Sequence, residues 1–303
     1  MRCLSLVLAT VLGTAGVSGC AQLPREKPVA DASVRTTDGM VPLLAFASPS
    51  VSLSKSNGDM FPQAYKGTEG PLTGRTLPVS RASDIVLKDH EVILTFDDGP
   101  MPGKTTKILD ALDHYGVKAT FMMVGQMART YPAIVRQVAA RGHTIGNHTE
   151  DHKNLASLKF DAAMDEIKAG DEGISAALRP LRTDPIRFFR FPYLASTKAL
   201  RDALAGEGVV VVGADVDSKD YFISTPEQVK ERALSRLEAR GKGIILFHDI
   251  HGRTAAMLPD FLKALQEKGY KVVRMVPARS LEGKELVASA EAGAAKNGTA
   301  AKG

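Results

Sequence analysis

The chain has 303 residues, of which 44% are hydrophobic and 24% charged, and it carries a formal net charge of +5. This composition is typical of a folded globular protein with room for one large α/β domain plus extensions, and it excludes an intrinsically disordered chain. The sequence contains no basic patch interleaved with aromatic residues, so we predict no nucleic-acid partner. No feature of the sequence implies a protein partner.

The first twenty residues are typical of an exported protein. The apolar run 4–17 is too short to span a membrane and has the length of a signal-peptide core. Residues 17–20 (VSGC) resemble the lipobox of bacterial lipoproteins, in which Cys20 would be lipidated. We therefore predict a lipoprotein signal peptide over 1–19 and a lipid-anchored protein of the cell envelope, at the outer membrane or the periplasmic face in a Gram-negative cell. The alternative is an ordinary cleaved signal peptide.

Two segments have no periodic apolar pattern. Residues 20–82 intersperse Pro, Ser, Gly and Thr, which predicts a flexible linker after the lipidated Cys20. Residues 281–303 are rich in Ala, Gly and Lys, which predicts a disordered tail. A single folded domain is therefore expected over 83–280.

Strand-like and helix-like segments alternate within this domain. The predicted strands are 91–96, 118–124, 143–146, 186–191, 209–214, 243–247 and 271–275. The predicted helices include 105–115, 133–141, 161–178, 225–240 and 255–268. Such alternation predicts a parallel sheet with right-handed crossovers, either a barrel or an open doubly wound sheet.

The positions of the polar residues favour the barrel. Several stand at or just after the carboxyl end of a predicted strand: Asp97, Asp98, His148, Arg190, Asp215, Asp217 and His248. Barrel enzymes collect their catalytic groups at that end. The predicted fold class is therefore α/β, a distorted (β/α)7 TIM-like barrel with a single catalytic domain.

Some of these side chains are suited to one metal ion. Asp97 and Asp98 end a strand, so one carboxylate can bind a metal while its neighbour stays unligated beside it. The i, i+4 spacing of His148 and His152 lets two imidazoles face one ion. Asp98, His148 and His152 would leave open positions for water and substrate, as in a catalytic site. This set suits one divalent ion, Zn²⁺ foremost, or Co²⁺ or Ni²⁺. A surface turn and an ordinary histidine pair are the alternatives.

Five motifs in sequence order resemble those of the polysaccharide deacetylases of carbohydrate esterase family 4, the NodB homology domain. They are residues 95–99 (TFDDG), 148–152 (HTEDH), 190–193 (RFPY), 217–221 (DSKDY) and 246–248 (LFH). The resemblance implies a distorted barrel of the polysaccharide deacetylase type. It also implies a metal-dependent hydrolase that removes N-acetyl groups, by cleaving linear amide C–N bonds, from an N-acetylated polysaccharide.

The resemblance also implies roles for the residues of the first motifs. Asp97 would be the general base, and Asp98 would bind the metal together with His148 and His152. Arg190 would orient Asp97 and keep it ionised by charge pairing.

The later motifs are implied to complete the site. The backbone N–H of Tyr193 would help to stabilise the oxyanion, and His248 would be the general acid. An acidic residue, either Asp217 or Asp220, would keep His248 cationic.

The substrate is expected to lie against Pro192, Tyr221 and Leu246. Phe189, Phe191 and Tyr221 are candidates for stacking on a sugar ring, with core packing as the alternative for Phe189. His251 could line the pocket or be an ordinary loop histidine. Leu194 departs from the family pattern, in which a glycine is common at this position.

The sequence does not decide which substrate the protein acts on. Peptidoglycan, chitooligosaccharides and poly-N-acetylglucosamine fit an N-deacetylase of the envelope. The alternatives are an esterase for O-acetyl groups of xylan, a hydrolase of non-sugar amides, and an inactive carbohydrate-binding lipoprotein.

Overall fold

The computed structural model describes residues 70–181 and 183–278. The strands of this part of the chain are β1 (Thr73–Val79), β2 (Glu91–Asp97), β3 (Thr120–Met123), β4 (Thr144–Asn147), β5 (Phe188–Phe189), β6 (Val210–Val211), β7 (Val216–Asp217), β8 (Gly243–His248) and β9 (Lys271–Pro277). The α-helices are α1 (Thr105–His114), α2 (Gly125–Thr130), α3 (Pro132–Ala140), α4 (Phe160–Leu178), α5 (Lys198–Gly206), α6 (Pro226–Arg240) and α7 (Gly252–Glu267). None of these helices is long and apolar enough to cross a membrane. The predicted signal peptide, Cys20 and the predicted tail lie outside the described residues.

The strands form a parallel sheet that curls into a distorted barrel. Seven of them lie side by side in the order β6-β5-β4-β3-β2-β8-β7, and the end strands β6 and β7 are joined by residues 212–215. Apolar side chains from strands around the whole circuit meet in one buried cluster: Ile93, Met122, Phe188, Val210 and Ile244. The predicted α/β fold is confirmed.

Strands β1 and β9 cover the amino end of the barrel. β1 pairs with β9, and β9 pairs with the start of β2. Leu77 of β1 and Met275 of β9 belong to the cluster of inward-facing barrel residues, and the Thr144 hydroxyl donates to the Met275 carbonyl.

Strand β1 lies in the segment predicted to be linker. The predicted boundary at residue 82 is therefore wrong, and the folded domain includes Thr73–Val79. Gly74 and Pro78 weaken the strand pattern in the sequence, but the outer position of β1 in the sheet tolerates proline.

The predicted strand 209–214 contains only the two-residue strand β6, and a second short strand, β7, follows it. β6 ends at Val211 and β7 starts at Val216, which places Asp215 before a strand rather than after one. The Asp215 carboxylate accepts from the Ile244 N–H at 2.9 Å and pairs with Arg240 at 2.8 Å. Asp215 therefore lies beside the start of β8, at the barrel end opposite its expected position.

Two helices start at residues whose side chains cap them. Thr225 accepts from the Gln228 N–H, and the Gln228 side chain accepts from the Thr225 N–H, so the predicted capping box of α6 is present. Helix α5 was not predicted, although Thr197 caps it by accepting from the Leu200 N–H at 3.3 Å. Helix α2, which has only six residues, was also not predicted.

Candidate active site

The predicted site residues converge on one cavity at the carboxyl end of the barrel strands. The cavity measures about 410 Å³. It is lined by Asp97, Asp98, His148, His152, Phe191, Tyr193, Leu194, Asp217, Tyr221, Leu246 and His248. A concave pocket with convergent polar groups is the usual form of a catalytic site.

Backbone strain is concentrated in the loops that build this cavity. Of the seven non-glycine residues with positive φ in the described part of the chain, six lie in these loops: Asp98, Thr149, His152, Tyr193, Leu194 and Lys219. Each such conformation costs about 1–3 kcal/mol and persists only where the surroundings hold it. The loops are therefore fixed by tertiary contacts rather than by local preference.

Asp98 lies beside the two histidines with which it is predicted to bind a metal. Its φ of 76° turns its carboxylate back towards the side on which Asp97 lies, so both carboxylates reach the cavity. Asp98 Oδ1 is 3.5 Å from His148 Nε2 and 3.3 Å from His152 Nε2. This oxygen is buried and receives no hydrogen bond, an arrangement that is costly without a cation.

His148 is prepared to donate a lone pair. Its Nδ1 lies 2.8 Å from the Arg190 carbonyl and donates to it, which leaves Nε2 free towards Asp98 and His152. Burial lowers the pKa of His148, an effect that the charges of Asp97 and Asp98 only partly oppose, so the imidazole is neutral. The three ligand atoms of Asp98, His148 and His152 lie within 4.8 Å of one another. This donor set fits a divalent ion such as Zn²⁺.

The loop between the two histidines is held against helix α4. The Asn147 side chain accepts from the Thr149 N–H at 2.8 Å, and the Thr149 hydroxyl accepts from the His152 N–H at 3.0 Å. A Cβ at Gly170 would lie 2.6 Å from the Thr149 carbonyl carbon, so only glycine permits this approach. The i, i+4 pair therefore meets across a strained loop and not along a helix.

Sequence reasoning missed the carboxylate that fixes the far side of this loop. Glu166 of α4 is buried and accepts from the Asp151 N–H at 2.6 Å. Its other oxygen pairs with Lys153 at 2.8 Å. No local pattern signals this contact, because Glu166 is fifteen residues away from its partner in the chain.

Arg190 lies behind Asp97 and holds it in place. The guanidinium is fully buried, and its NH1 donates to Asp97 Oδ1 at 2.8 Å and to the Thr95 hydroxyl at 2.7 Å. Its remaining nitrogens donate to the Val212 and Gly213 carbonyls. Asp97 Oδ2 stays outside this pair and lies 3.7 Å from His148 Nε2.

His248 is on the neighbouring strand, where it is the register partner of Asp97. Its Nδ1 donates to Asp220 Oδ1 at 2.6 Å, and Asp220 Oδ2 accepts from the His248 N–H and from the Thr254 hydroxyl. Burial opposes protonation of His248, but the hydrogen bond and charge of Asp220, with the charges of Asp97 and Asp98, raise its pKa to about 9. The imidazole is thus held as a cation beside the cavity.

Asp217 makes different contacts from Asp220. It lines the cavity and accepts from the Tyr221 hydroxyl at 2.9 Å. Of the two acids left open by the sequence, Asp220 is therefore the one bonded to His248. Burial and the hydrogen bond to Asp217 raise the pKa of Tyr221 to about 12.

Of the remaining residues predicted to contact the substrate, some line the cavity and others are buried in the core. Leu246, Tyr221 and Phe191 line the cavity, although Phe191 is almost wholly buried. Pro192 and Phe189 are buried outside the cavity lining, so stacking of Phe189 on a sugar is wrong.

Two further positions were left open by the sequence. His251 stands at the N-cap position of helix α7, without a side-chain capping bond, and is half-buried. Its ring is 5.8 Å from that of His248 and outside the cavity lining. Leu194 adopts φ of 55°, in the region that favours the glycine common in the family, and its exposed side chain lines the cavity.

A second unpredicted carboxylate supports the Asp97–Asp98 turn. Asp249 is fully buried and accepts from the Thr105 hydroxyl at 2.6 Å, while that hydroxyl accepts from the Met101 N–H at 2.7 Å. Burial raises the pKa of Asp249 to about 7. The negative charges of Asp98 and Asp97 also raise this pKa, whereas the hydrogen bond from Thr105 lowers it. The contact joins the end of β8 to the turn that carries the metal ligand.

Gly99 is expected to be intolerant of a side chain because of Asp249. A Cβ at Gly99 would lie 2.1 Å from Asp249 Oδ2, so we expect Gly99→Ala to lower the free energy of unfolding by about 2–3 kcal/mol. Asp249→Ala should relieve the clash, and the double variant should lose less than the sum of the two single losses. Denaturant unfolding of the four proteins measures this coupling, and simple additivity would contradict it.

The pH profile of the enzyme should depend on Asp220. If His248 acts as an acid, activity falls as the pH rises through its pKa, and Asp220 raises that pKa. Asp220→Asn should therefore move the alkaline limb of kcat/KM to lower pH by about one to two pH units. A dication bound in the cavity would move the alkaline limb to lower pH in the wild type and in the variant alike. The measured quantity is therefore the difference in pH between the two alkaline limbs. If the alkaline limbs of the wild type and of Asp220→Asn coincide, the effect of Asp220 on the pKa of His248 is contradicted.

Comparison with known proteins agrees with this geometry. A family model described as "Polysaccharide deacetylase" matches residues 85–212. A chitooligosaccharide deacetylase of Azorhizobium caulinodans is 32% identical over 210 residues, which cover 63% of this chain and 96% of that protein. The peptidoglycan-N-acetylglucosamine deacetylase PgdA of Listeria monocytogenes is 30% identical over 185 residues, which cover 61% of this chain but only 38% of that protein.

A solved structure shares the fold. A peptidoglycan deacetylase of Bdellovibrio bacteriovorus superposes with a TM-score of 0.59 at 35% sequence identity. The match covers 69% of this chain and 57% of that one. The chain therefore spans little more than half of the Bdellovibrio structure.

Proposed function

The chain belongs to the polysaccharide deacetylase family, and we propose that it hydrolyses N-acetyl groups of aminosugar polymers or oligomers with the help of one divalent metal ion. One observation carries the proposal. A metal-fitting triad shares one cavity with a carboxylate held by a buried arginine and with a histidine held cationic by a buried aspartate.

The metal would be held by Asp98, His148 and His152, and we propose Zn²⁺ as the ion. When bound, such an ion polarises a carbonyl oxygen and lowers the pKa of water to about 7. The chain supplies the ligand geometry for it, because the Asp98 Oδ1 and the His148 Nε2 lie 3.5 Å apart and the Arg190 carbonyl fixes the other ring nitrogen of His148. The support for a metal is the partnerless Asp98 Oδ1.

Asp97 is suited to take a proton from the attacking water. Arg190 occupies one carboxylate oxygen, and the other lies near the metal ligands. The guanidinium donates to the Asp97 carboxylate, and its bonds to Thr95, Val212 and Gly213 hold it in place, so the direction of the carboxylate is fixed. A general base must be oriented towards the proton that it takes, and the buried pair provides this orientation.

His248 is suited to give a proton to the departing amine. Asp220 binds Nδ1, so Nε2 is the nitrogen left to donate. Because Asp97 and His248 are register partners on adjacent strands, base and acid reach the same cavity from neighbouring positions. The backbone N–H of Tyr193, held by positive φ in the cavity wall, is the proposed donor to the developing oxyanion.

Acetate release by the purified, metal-loaded protein tests the proposal. Peptidoglycan, chitooligosaccharides and acetylxylan are assayed in parallel, with Asp97→Asn as the control. Release from an N-acetylated sugar, abolished by the substitution, is the expected result. Release from acetylxylan alone would favour the esterase alternative. No release from any substrate, with metal bound, would favour a non-sugar amide hydrolase or a binding role.

We propose that the enzyme is anchored in the cell envelope through lipidated Cys20. The support is the VSGC sequence at residues 17–20. A lipid anchor would keep the enzyme near peptidoglycan, which makes that polymer the foremost candidate substrate. Radiolabelled palmitate incorporation in cells tests the anchor, and labelling that survives Cys20→Ala would contradict it.

A further inference from the structure

Exposed large apolar side chains are concentrated around the cavity. Those in the described part of the chain are Val86, Phe160, Tyr193, Leu194, Tyr221, Phe222 and Ile223. Five of these seven belong to two short segments, 193–194 and 221–223, whose members Tyr193, Leu194 and Tyr221 line the cavity. Clustered exposed apolar residues mark a binding surface, whereas single scattered ones do not.

The two segments lie on different sides of the reacting groups. The Tyr193 ring is 4.8 Å from His152, on the side of the metal ligands. The Tyr221 ring is 5.5 Å from His248, on the side of the acid. Apolar surface therefore borders the cavity both beside the metal ligands and beside the acid.

Phe222 and Ile223 extend this surface beyond the cavity. Neither lines it, and they are 52% and 101% exposed. The Phe222 ring is 4.8 Å from the Tyr221 ring in an edge-to-face arrangement, so the apolar surface is continuous from the cavity wall outward.

The loop that presents these side chains is held rigidly. Arg232 donates to the Ser218 and Lys219 carbonyls, and Arg236 donates to the Asp217 carbonyl. Arg253 of α7 donates to the Phe222 carbonyl. Three arginines thus fix a loop whose tip keeps exposed apolar surface on Phe222 and Ile223, which is the organisation of a preformed binding surface.

We propose that Phe222 and Ile223 bind the sugar unit next to the one that is deacetylated, so that the enzyme favours substrates of several sugars. The inference rests on the proposed function. The faces of pyranose rings carry C–H groups, which bury apolar area against an aromatic or aliphatic side chain. The occupant is a sugar unit because the surface continues that of Tyr221, which borders the site of reaction.

The dependence of activity on a neighbouring sugar tests the inference. kcat/KM is measured for the pentamer of N-acetylglucosamine and for p-nitrophenyl acetate, which has no neighbouring sugar, in the wild type and in the double variant Phe222→Ala, Ile223→Ser. We expect the ratio of the pentamer value to the ester value to fall about fivefold to tenfold in the variant, through KM rather than kcat. A retained ratio, or an equal loss on both substrates, would overturn the inference.

Two variants serve as matched controls. Phe222→Tyr keeps the ring and should keep the ratio. Val86→Ser removes another exposed apolar side chain distant in sequence from the two segments and should leave the ratio as in the wild type. If the wild type does not deacetylate the pentamer, the proposed function fails. Calorimetric binding of the pentamer then decides the inference alone, since equal affinity of wild type and double variant would overturn it.

Discussion

Asp97→Asn is expected to lower kcat by about 10²–10⁴, the usual contribution of a general base. The amide keeps the size of the side chain and an oxygen that can accept from Arg190, so the architecture of the pair survives. What is lost is the negative charge that takes the proton. The proposed metal ligands Asp98, His148 and His152 are untouched, and the metal content of the variant should equal that of the wild type.

The matched control is Asp215→Asn. Asp215 also follows an apolar run in the sequence, but the structure places it at the opposite end of the barrel, where it pairs with Arg240. Its substitution should leave kcat within about twofold of the wild type, as expected for a residue away from the chemistry. Wild-type turnover by Asp97→Asn, with acetate release measured at saturating substrate, would contradict the assignment of the base.

The pair Asp97 and Asp215 also shows what the sequence predicts well. A long buried run, 91–96, marks a strand and places the following carboxylates at the correct end of the barrel. The run 209–214 has the same appearance, yet it does not form one long strand. Only the short strands β6 and β7 form, with residues 212–215 between them, because the barrel is distorted there. Apolar runs therefore locate strands, but not the irregularities that decide which end of the barrel a neighbouring residue reaches.

The metal ligands could be predicted from residue type and spacing, but their geometry could not. Alternation along a strand would direct Asp97 and Asp98 to opposite sides, and only the left-handed backbone of Asp98 brings both carboxylates to the cavity. That conformation is unfavourable for any non-glycine residue. It is imposed by contacts from distant parts of the chain, which no local pattern encodes.

The supporting roles of Glu166 and Asp249 also could not be predicted from the sequence. Glu166 is an ordinary acidic residue of an amphipathic helix in the sequence, yet it is buried and binds the backbone of the ligand loop. Asp249 follows His248 in the chain but contacts Thr105, 144 residues away. Arg190 and Asp220 also position reacting residues, but they belong to recognisable motifs, whereas Glu166 and Asp249 are recognised only once the fold brings them to the residues that they support.

His248→Ala is expected to lower kcat on an N-acetylated sugar by about 10²–10⁴, because the amine leaves poorly unless it is protonated. An activated ester such as p-nitrophenyl acetate has a leaving group that departs without a proton. The same variant should therefore lose less than about tenfold on the ester, whereas Asp97→Asn should be impaired on both substrates.

This comparison separates the acid from the base, which a loss of activity on one substrate cannot do. His251→Ala is the matched control, because His251 lies 5.8 Å from His248, outside the cavity lining, and without a bond to Asp220 among the described residues. Its kcat should be close to that of the wild type on both substrates. Equal losses on amide and ester in His248→Ala would show that His248 acts before the leaving group departs, and the assignment of the acid would then be wrong.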